Sequence, residues 1–236
     1  MSLVTEPTTG DPLPPAPRGD DRGHGGGDEP LSPWWHSPIR LLAMAVALVF
    51  LGTSIGWVVA SRSSTPPAEG SVDVGFLQDM RYHHDQAVQM ALIYTAKGPE
   101  GLDPTTVTLA KEVLLGQQLE NGLMVQMLRT WGRTEQNETG RAMGWMGMDT
   151  ALDHMVGIAS PEQMTALRKA TGKEADRLYL EMMLAHHQGG VHMAEYAARR
   201  ASTGQVRELA NAMRTGQLGE IDEMTTLQQK LGFATG

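Results

Sequence analysis

The chain has 236 residues, a formal net charge of -8 at neutral pH and no cysteine. The charge removes any electrostatic case for a nucleic-acid partner. The missing thiols exclude disulfides, cysteine-ligated zinc, a thiol nucleophile and a lipoprotein anchor. Methionine, at 16, far outnumbers phenylalanine, at 3; it either fills an aliphatic core or offers its soft thioether as a ligand.

Residues 1–38 are rich in proline, glycine and acidic residues. Such a segment buries too little apolar area to offset its ordering entropy and is expected to be a disordered tail, with His24 solvated. Leu41 to Ala60 carry no charge and lie between Arg40 and Arg62, with Trp34, Trp35 and Trp57 near the ends. Twenty helical residues span roughly 30 Å, the thickness of a bilayer's hydrocarbon core. Residues 39–60 are therefore expected to be a transmembrane anchor, although Val58-Val-Ala60 leaves a cleaved signal peptide as the rival. Arg22 and Arg40 before the span favour an extracytoplasmic location, at the cell membrane, for residues 61–236. Residues 61–71 read as a flexible linker.

Residues 72–236 have the punctuation of helices. The first is expected from Val72 to Lys97, stopped by Gly98-Pro99. A second opens with the cap Asp103 and Pro104 and ends near Gly132. Residues 133–172 form a crossover that includes Met143-Gly-Trp-Met-Gly-Met148 and a short helix starting at the capping box Ser160-Pro-Glu-Gln163. A third long helix is expected over Lys173 to Ala201 and a fourth over Gln205 to Leu231. No run sustains period-two alternation, so no strands are expected.

One pattern occurs twice. Met80-Arg-Tyr-His-His-Asp-Gln-Ala-Val-Gln-Met-Ala91 returns as Met183-Leu-Ala-His-His-Gln-Gly-Gly-Val-His-Met-Ala194. Gly116-Gln117-Gln-Leu-Glu120 likewise returns as Gly216-Gln217-Leu-Gly-Glu220. Each repeat, 72–132 and 173–232, is thus a helix pair, and two pairs make an all-α four-helix bundle with a long crossover.

At 100° per residue, Met80, His83, His84 and Met90 share the apolar stripe of their helix, as do Met183, His186, His187 and Met193 of theirs. Glu120 and Glu220 lie on the inward faces of the second and fourth helices. Inward histidines and glutamates are costly unless they satisfy one another or bind something. A buried polar network is the bland outcome. Two His-His pairs, two glutamates and the four methionines make a metal site the sharper one. Imidazole, carboxylate and thioether together suit a late first-row metal, and thioether suits copper; other transition metals remain open. Gly189-Gly190 costs roughly 1 kcal/mol per glycine in a helix and signals close packing or room for a ligand. His192 lies off the stripe and is expected to be exposed. His154, with Met148 and Met155, reads as part of an amphipathic loop.

The His-His helices, the Gln-x-x-Glu helices and the segment from Met143 through Ser160-Pro-Glu-Gln-Met164 to Gly172-Lys-Glu-Ala-Asp176 resemble the DUF305 family over residues 72–232. That resemblance implies bacterial secreted or membrane-anchored proteins of the ferritin-like superfamily, a functional His-His motif at His83, His84, His186 and His187, and a likeness of some members to periplasmic copper-binding proteins. Asn121 departs from the family's apolar residue at that position, which Ile221 keeps, so a looser first site is expected.

The function expected is that of a membrane-anchored extracytoplasmic metal-binding protein, for copper above all, in storage, buffering or resistance. The alternative is a structural or interaction module of a membrane complex with a buried His/Glu network. A di-metal oxidase is disfavoured because no Glu-x-x-His occurs anywhere. No catalytic residue is assigned, because nucleophile elbow, zinc-protease motif and phosphate loop are all missing.

Overall fold

The structure is a computed structural model that describes residues 65–233 together with Leu48, Val49 and Thr53. The chain divides into two compact units, 1–64 and 65–236. In the first, Leu48, Val49 and Thr53 are helical, and the Thr53 hydroxyl donates to the Val49 carbonyl at 2.8 Å. The expected tail over 1–38, nearly all of the apolar span over 39–60 and the first linker residues lie outside the described residues. Among the described residues no helix is long and apolar enough to cross a membrane.

The second unit is all-α in its framework. Helix α1 (Val72–Thr95) is capped by Ser71, and α2 (Pro104–Thr130) by Asp103, whose carboxylate accepts from the Thr106 amide at 2.8 Å. Short helix α3 (Pro161–Lys169) begins with the expected capping box of Ser160 and Gln163. Helix α4 (Gly172–Arg200) and helix α5 (Gly204–Lys230), the latter capped by Thr203, complete the set. Helix α1 packs on α2 and α4 on α5, and the two hairpins meet through α1 and α4.

The inward stripes close as their spacing requires. The apolar interior falls into two clusters. One gathers Met90 and Tyr94 of α1 with Tyr179 and Met183 of α4; the other gathers Phe76 and Met80 with Met193 and Ala197. Early residues of α1 therefore meet late residues of α4, so the two helices run antiparallel, and the histidines lie between the clusters. Two buried carboxylates tie each hairpin to the other's turn. Asp73 of α1 accepts from the amides of Ser202 and Thr203, both at 2.8 Å, ahead of α5. Asp176 of α4 accepts from the Tyr94 hydroxyl and, at 3.1 Å, from the Asp103 amide ahead of α2. Burial opposes the Asp73 charge, but its hydrogen bonds outweigh that and hold the carboxyl below its ordinary value.

The crossover holds the one departure from the expected absence of strands. Arg141–Ala142 (β1) and Thr150–Ala151 (β2) pair antiparallel, Arg141 opposite Ala151. Two residues are too few to show alternation, so sequence periodicity could not reveal them. Between them Met143, at φ 61°, and Gly147, at φ 78°, bracket a 3-10 turn. The crossover is anchored on Asp79, whose carboxylate accepts from Asn137 at 2.6 Å and from the Met143 amide and Trp145 indole, both at 2.7 Å. Burial pushes the Asp79 carboxyl up, against those three bonds. Trp145 packs where Gly75 has no Cβ; one placed there would lie 2.4 Å from the ring. Residues 65–70, expected as linker, touch this region as well: Arg133 donates to the Pro67 carbonyl at 2.6 Å and pairs with Glu69 at 3.4 Å.

Candidate metal centre

Four imidazoles form a layer across the middle of the second unit. His83 and His84 of α1 and His186 and His187 of α4 are each fully buried. Adjacent residues on a helix diverge by 100°, so each pair splits. His84 and His187 lean outward to the second helix of their own hairpins. His84 Nε2 donates to Glu120 Oε2 at 2.7 Å, and His187 Nε2 to Glu220 Oε2 at 2.6 Å. His83 and His186 turn toward each other, with ring centroids 3.7 Å apart and planes tilted by 31°. His186 Nε2 donates to the His83 carbonyl at 2.7 Å, and His83 Nε2 to the Val156 carbonyl at 3.1 Å.

Every Nε2 faces an oxygen acceptor, which places a ring proton there and leaves Nδ1 as the outward nitrogen. All four Nδ1 atoms are buried with no hydrogen-bond partner among the described residues, and so are Gln117 Oε1, Asn121 Oδ1, the Tyr179 hydroxyl and both amide atoms of Gln217. Burial, reinforced by neighbouring imidazoles, pushes His83 down to about 3 and His186 well below its ordinary value. Both rings are therefore neutral at physiological pH, the form that ligates metals. Burial and the Glu220 charge push the Tyr179 hydroxyl up.

The predicted ligands do not meet at one point. Met80 and Met193 lie in one apolar cluster and Met90 and Met183 in the other, on opposite sides of the histidines. Glu120 and Glu220, about a quarter to a third exposed, hold imidazole N–H groups. Among the described residues no three His, Cys, Asp or Glu side chains are grouped to hold a metal. The imidazole nitrogens left without a hydrogen-bond partner are the four Nδ1 atoms. Met80 and Met183 stand one turn N-terminal to His84 and His187, the direction in which helical side chains lean. Glutamates and backbone carbonyls on the far ring nitrogens are what orient metal-binding histidines.

His192 is exposed, as expected; His154 is exposed as well, while Met155 is buried. Sequence spacing gave no sign of Val156, whose contribution is a backbone carbonyl, nor of Gln86, which donates to the Ala159 carbonyl at 2.9 Å and accepts from its amide at 2.6 Å. The one visible signal was Gly189: a Cβ there would lie 2.1 Å from the Val156 carbonyl oxygen. Asn121, expected to loosen the first site, donates to Asp85 at 2.9 Å.

The profile of DUF305, a domain of unknown function, matches residues 73–228. The structure is similar to that of a DUF305 protein from Streptomyces coelicolor, provisionally named a secreted protein: 34% identity, 72% of this chain and 99% of that one, TM-score 0.65. It is also similar to a DUF305 fragment from Deinococcus radiodurans, at 28% identity, 71% and 99% coverage and TM-score 0.58. CopM in its Cu(II)-bound form matches at 23% identity, 67% and 96% coverage and TM-score 0.52, a likeness of fold alone. No curated protein sequence matches the chain. With two thirds of its length matched and its fold shared, this chain belongs to the DUF305 family.

Proposed function

We propose that this protein binds a soft late first-row metal, copper above all, in a ferritin-like bundle built from two repeated hairpins. A transmembrane segment over 39–60 would hold the bundle on the extracytoplasmic side, for storage, buffering or resistance. One observation carries the metal: four buried imidazoles turn Nε2 to oxygen acceptors and leave four Nδ1 atoms without a partner among the described residues. Each such group costs on the order of 1–3 kcal/mol if nothing meets it. A cation at an Nδ1 removes that cost, and the neutral rings of His83 and His186 accept one without losing a proton. His83, His84, His186 and His187 would supply the imidazoles, with Met80 and Met193 on one side of the layer and Met90 and Met183 on the other. Thioether beside imidazole favours Cu(I). Glu120 and Glu220 orient His84 and His187 rather than ligate. The copper-bound fold neighbour and the secreted name of the Streptomyces coelicolor relative point the same way.

A second reading has its own support. The bond from His186 to the His83 carbonyl and the close, tilted contact of the two rings join α4 to α1 with no ion, as a structural layer would. Titrating the full-length chain with Cu(I), Cu(II), Zn(II) and Fe(II) decides between them, following bound metal and the unfolding midpoint. Copper uptake that vanishes when all four histidines become alanine is the expected result. Uptake no greater than that variant's would leave the structural layer standing. Glu120→Gln and Glu220→Gln should weaken binding by about 10- to 100-fold.

A further inference from the structure

The internal repeat lets one outer face of the bundle be compared with its own duplicate. The register that carries Glu220 onto Glu120 lays α5 on α2, so that Leu115, Leu119 and Leu123 match Thr215, Gly219 and Glu223. At 100° per residue the three leucines, with Gly122 and Gln126, occupy an arc of about 100° on the side of α2 opposite the buried Gln117. That side is open to solvent: Leu115 is 70% exposed, Leu119 68% and Leu123 38%. Leu218, the exposed leucine of α5, matches Gln118 and lies outside the corresponding arc.

The same stretch is stripped of charge. From Val113 to Leu128 the only ionisable side chain is Glu120, which is turned to His84. The matching stretch, Met213 to Gln228, carries Arg214, Glu220, Asp222 and Glu223. Both helices hold a histidine from the same place in the fold, so neither the fold nor the histidine layer requires leucine on the outside of α2. Leucines scattered singly on a surface need no explanation. Three of them at i, i+4 and i+8 on a charge-free face form a seam. Bare glycine is common to both helices, with nothing within 4 Å of a Cβ on Gly122 or on Gly219, so the leucines carry the difference.

We propose that a second copy of this chain covers the leucine seam of α2, the two helices packing antiparallel about a two-fold axis at Leu119. A chain with a net charge of -8 repels its own copy and needs a face without charge on which to meet it, which α2 provides. Antiparallel packing sets Leu119 against Leu119 of the copy and Leu115 against Leu123. It also sets Glu112 against the neutral Gln126, whereas a parallel pair would set Glu112 against Glu112. The contact is isologous and closes at two copies. Its apolar area is that of one helix face, so the association is weak and depends on concentration. Metal binding by the histidines is independent of it.

A chain without cysteine makes the test clean, because a single introduced thiol has only its own copy to pair with. The full-length chain in mild detergent, metal-free and at rising concentration, is treated with diamide, and the covalent dimer is followed by mass. Leu119→Cys is expected to turn most of the chain into dimer, and Gly219→Cys, the matching position on α5, to link less than about a tenth as fast. Leu115→Cys and Leu123→Cys should each link poorly alone and efficiently when mixed. Alone, their copies lie roughly 12 Å apart along the seam, beyond the ~7 Å Cα separation a disulfide spans. Leu119→Glu, with an otherwise unmodified chain, should weaken association at least about tenfold in sedimentation equilibrium and keep its helical content. Leu119→Cys linking no faster than Gly219→Cys would overturn the proposal, and pairing through residues 39–60 alone gives that result. Leu115→Cys linking alone as fast as in the mixture would overturn the antiparallel seam. If the face lies on lipid instead, Leu119→Cys stays monomeric and phosphatidylcholine vesicles shield its thiol, which also overturns the proposal.

Discussion

The two hairpins solve the same problem at one pair of positions in opposite ways. Position 86 in the first is glutamine, whose amide clasps Ala159 of the crossover through two hydrogen bonds. The matching position in the second is Gly189, whose missing side chain lets the Val156 backbone lie directly on α4. One helix grips the crossover and the other yields to it, and the His83 imidazole fastens it between them. The histidine–glutamate pairs are alike in both hairpins because their geometry is internal to each. The inner histidines are not: His83 Nε2 meets the Val156 carbonyl of the crossover, whereas His186 Nε2 meets the His83 carbonyl. The repeat is therefore symmetric where it serves itself and asymmetric where the rest of the chain arrives.

The strongest way to break the comparison is to give the yielding position a side chain. Gly189→Ala brings a Cβ against backbone that cannot rotate away, and overpacking plus the loss of the His83–Val156 bond should cost about 3 kcal/mol, measured by chemical unfolding. An unchanged midpoint would mean that the crossover is not seated there. Next in size is acid sensitivity of the metal-free chain, a property the two inner histidines share. Their folded pKa values are depressed, so the unfolded chain binds more protons, and stability must fall as pH drops. The loss should begin near 6.5 and, for His83, continue to about 3, with a slope of about 1.4 kcal/mol per pH unit from each ring. Asp79, raised by burial, works in the opposite sense and offsets part of the loss at the acid end. His83→Gln should remove roughly half of the slope; an identical slope would show that the buried ring is not its source. The smallest effect belongs to the gripping position. Gln86→Ala loses both bonds to Ala159 and should cost about 1.5 kcal/mol, while the His187–Glu220 pair, followed by its ring resonances, stays undisturbed.

Much of the bundle is legible in its residues alone. Caps at Asp103 and Ser160 and the inward stripes are written in residue types with strong local preferences, and the helices begin within a residue of where those signals put them. The pairing of His84 with Glu120 and of His187 with Glu220 is implied by their recurrence on adjacent helices. What stays hidden depends on the crossover. Asp79 lies beside the first stripe and gives no helical signal, because its three donors arrive from residues 137–145. Val156 takes part through a carbonyl that any residue would supply. The paired glycines carry two messages in one dipeptide, crossover packing at Gly189 and close packing of the Gln217 amide at Gly190, which spacing alone cannot separate. Convergence of all ten candidate ligands also outran the sequence: a shared helix face says nothing of which side of the layer a methionine takes.

The exchanged carboxylates have a consequence for how the molecule comes apart. Asp73 of the first hairpin holds the turn of the second, and Asp176 of the second holds the turn of the first. Neither hairpin can fray from its loop inward without stranding a buried charge that belongs to the other. Local opening of one half is therefore penalised by the other, and the pair behaves as a single foldon rather than as two stacked modules. A duplicated chain would otherwise be free to melt by halves; here the copies are mutually hostage, and the histidine layer opens only when the whole unit does.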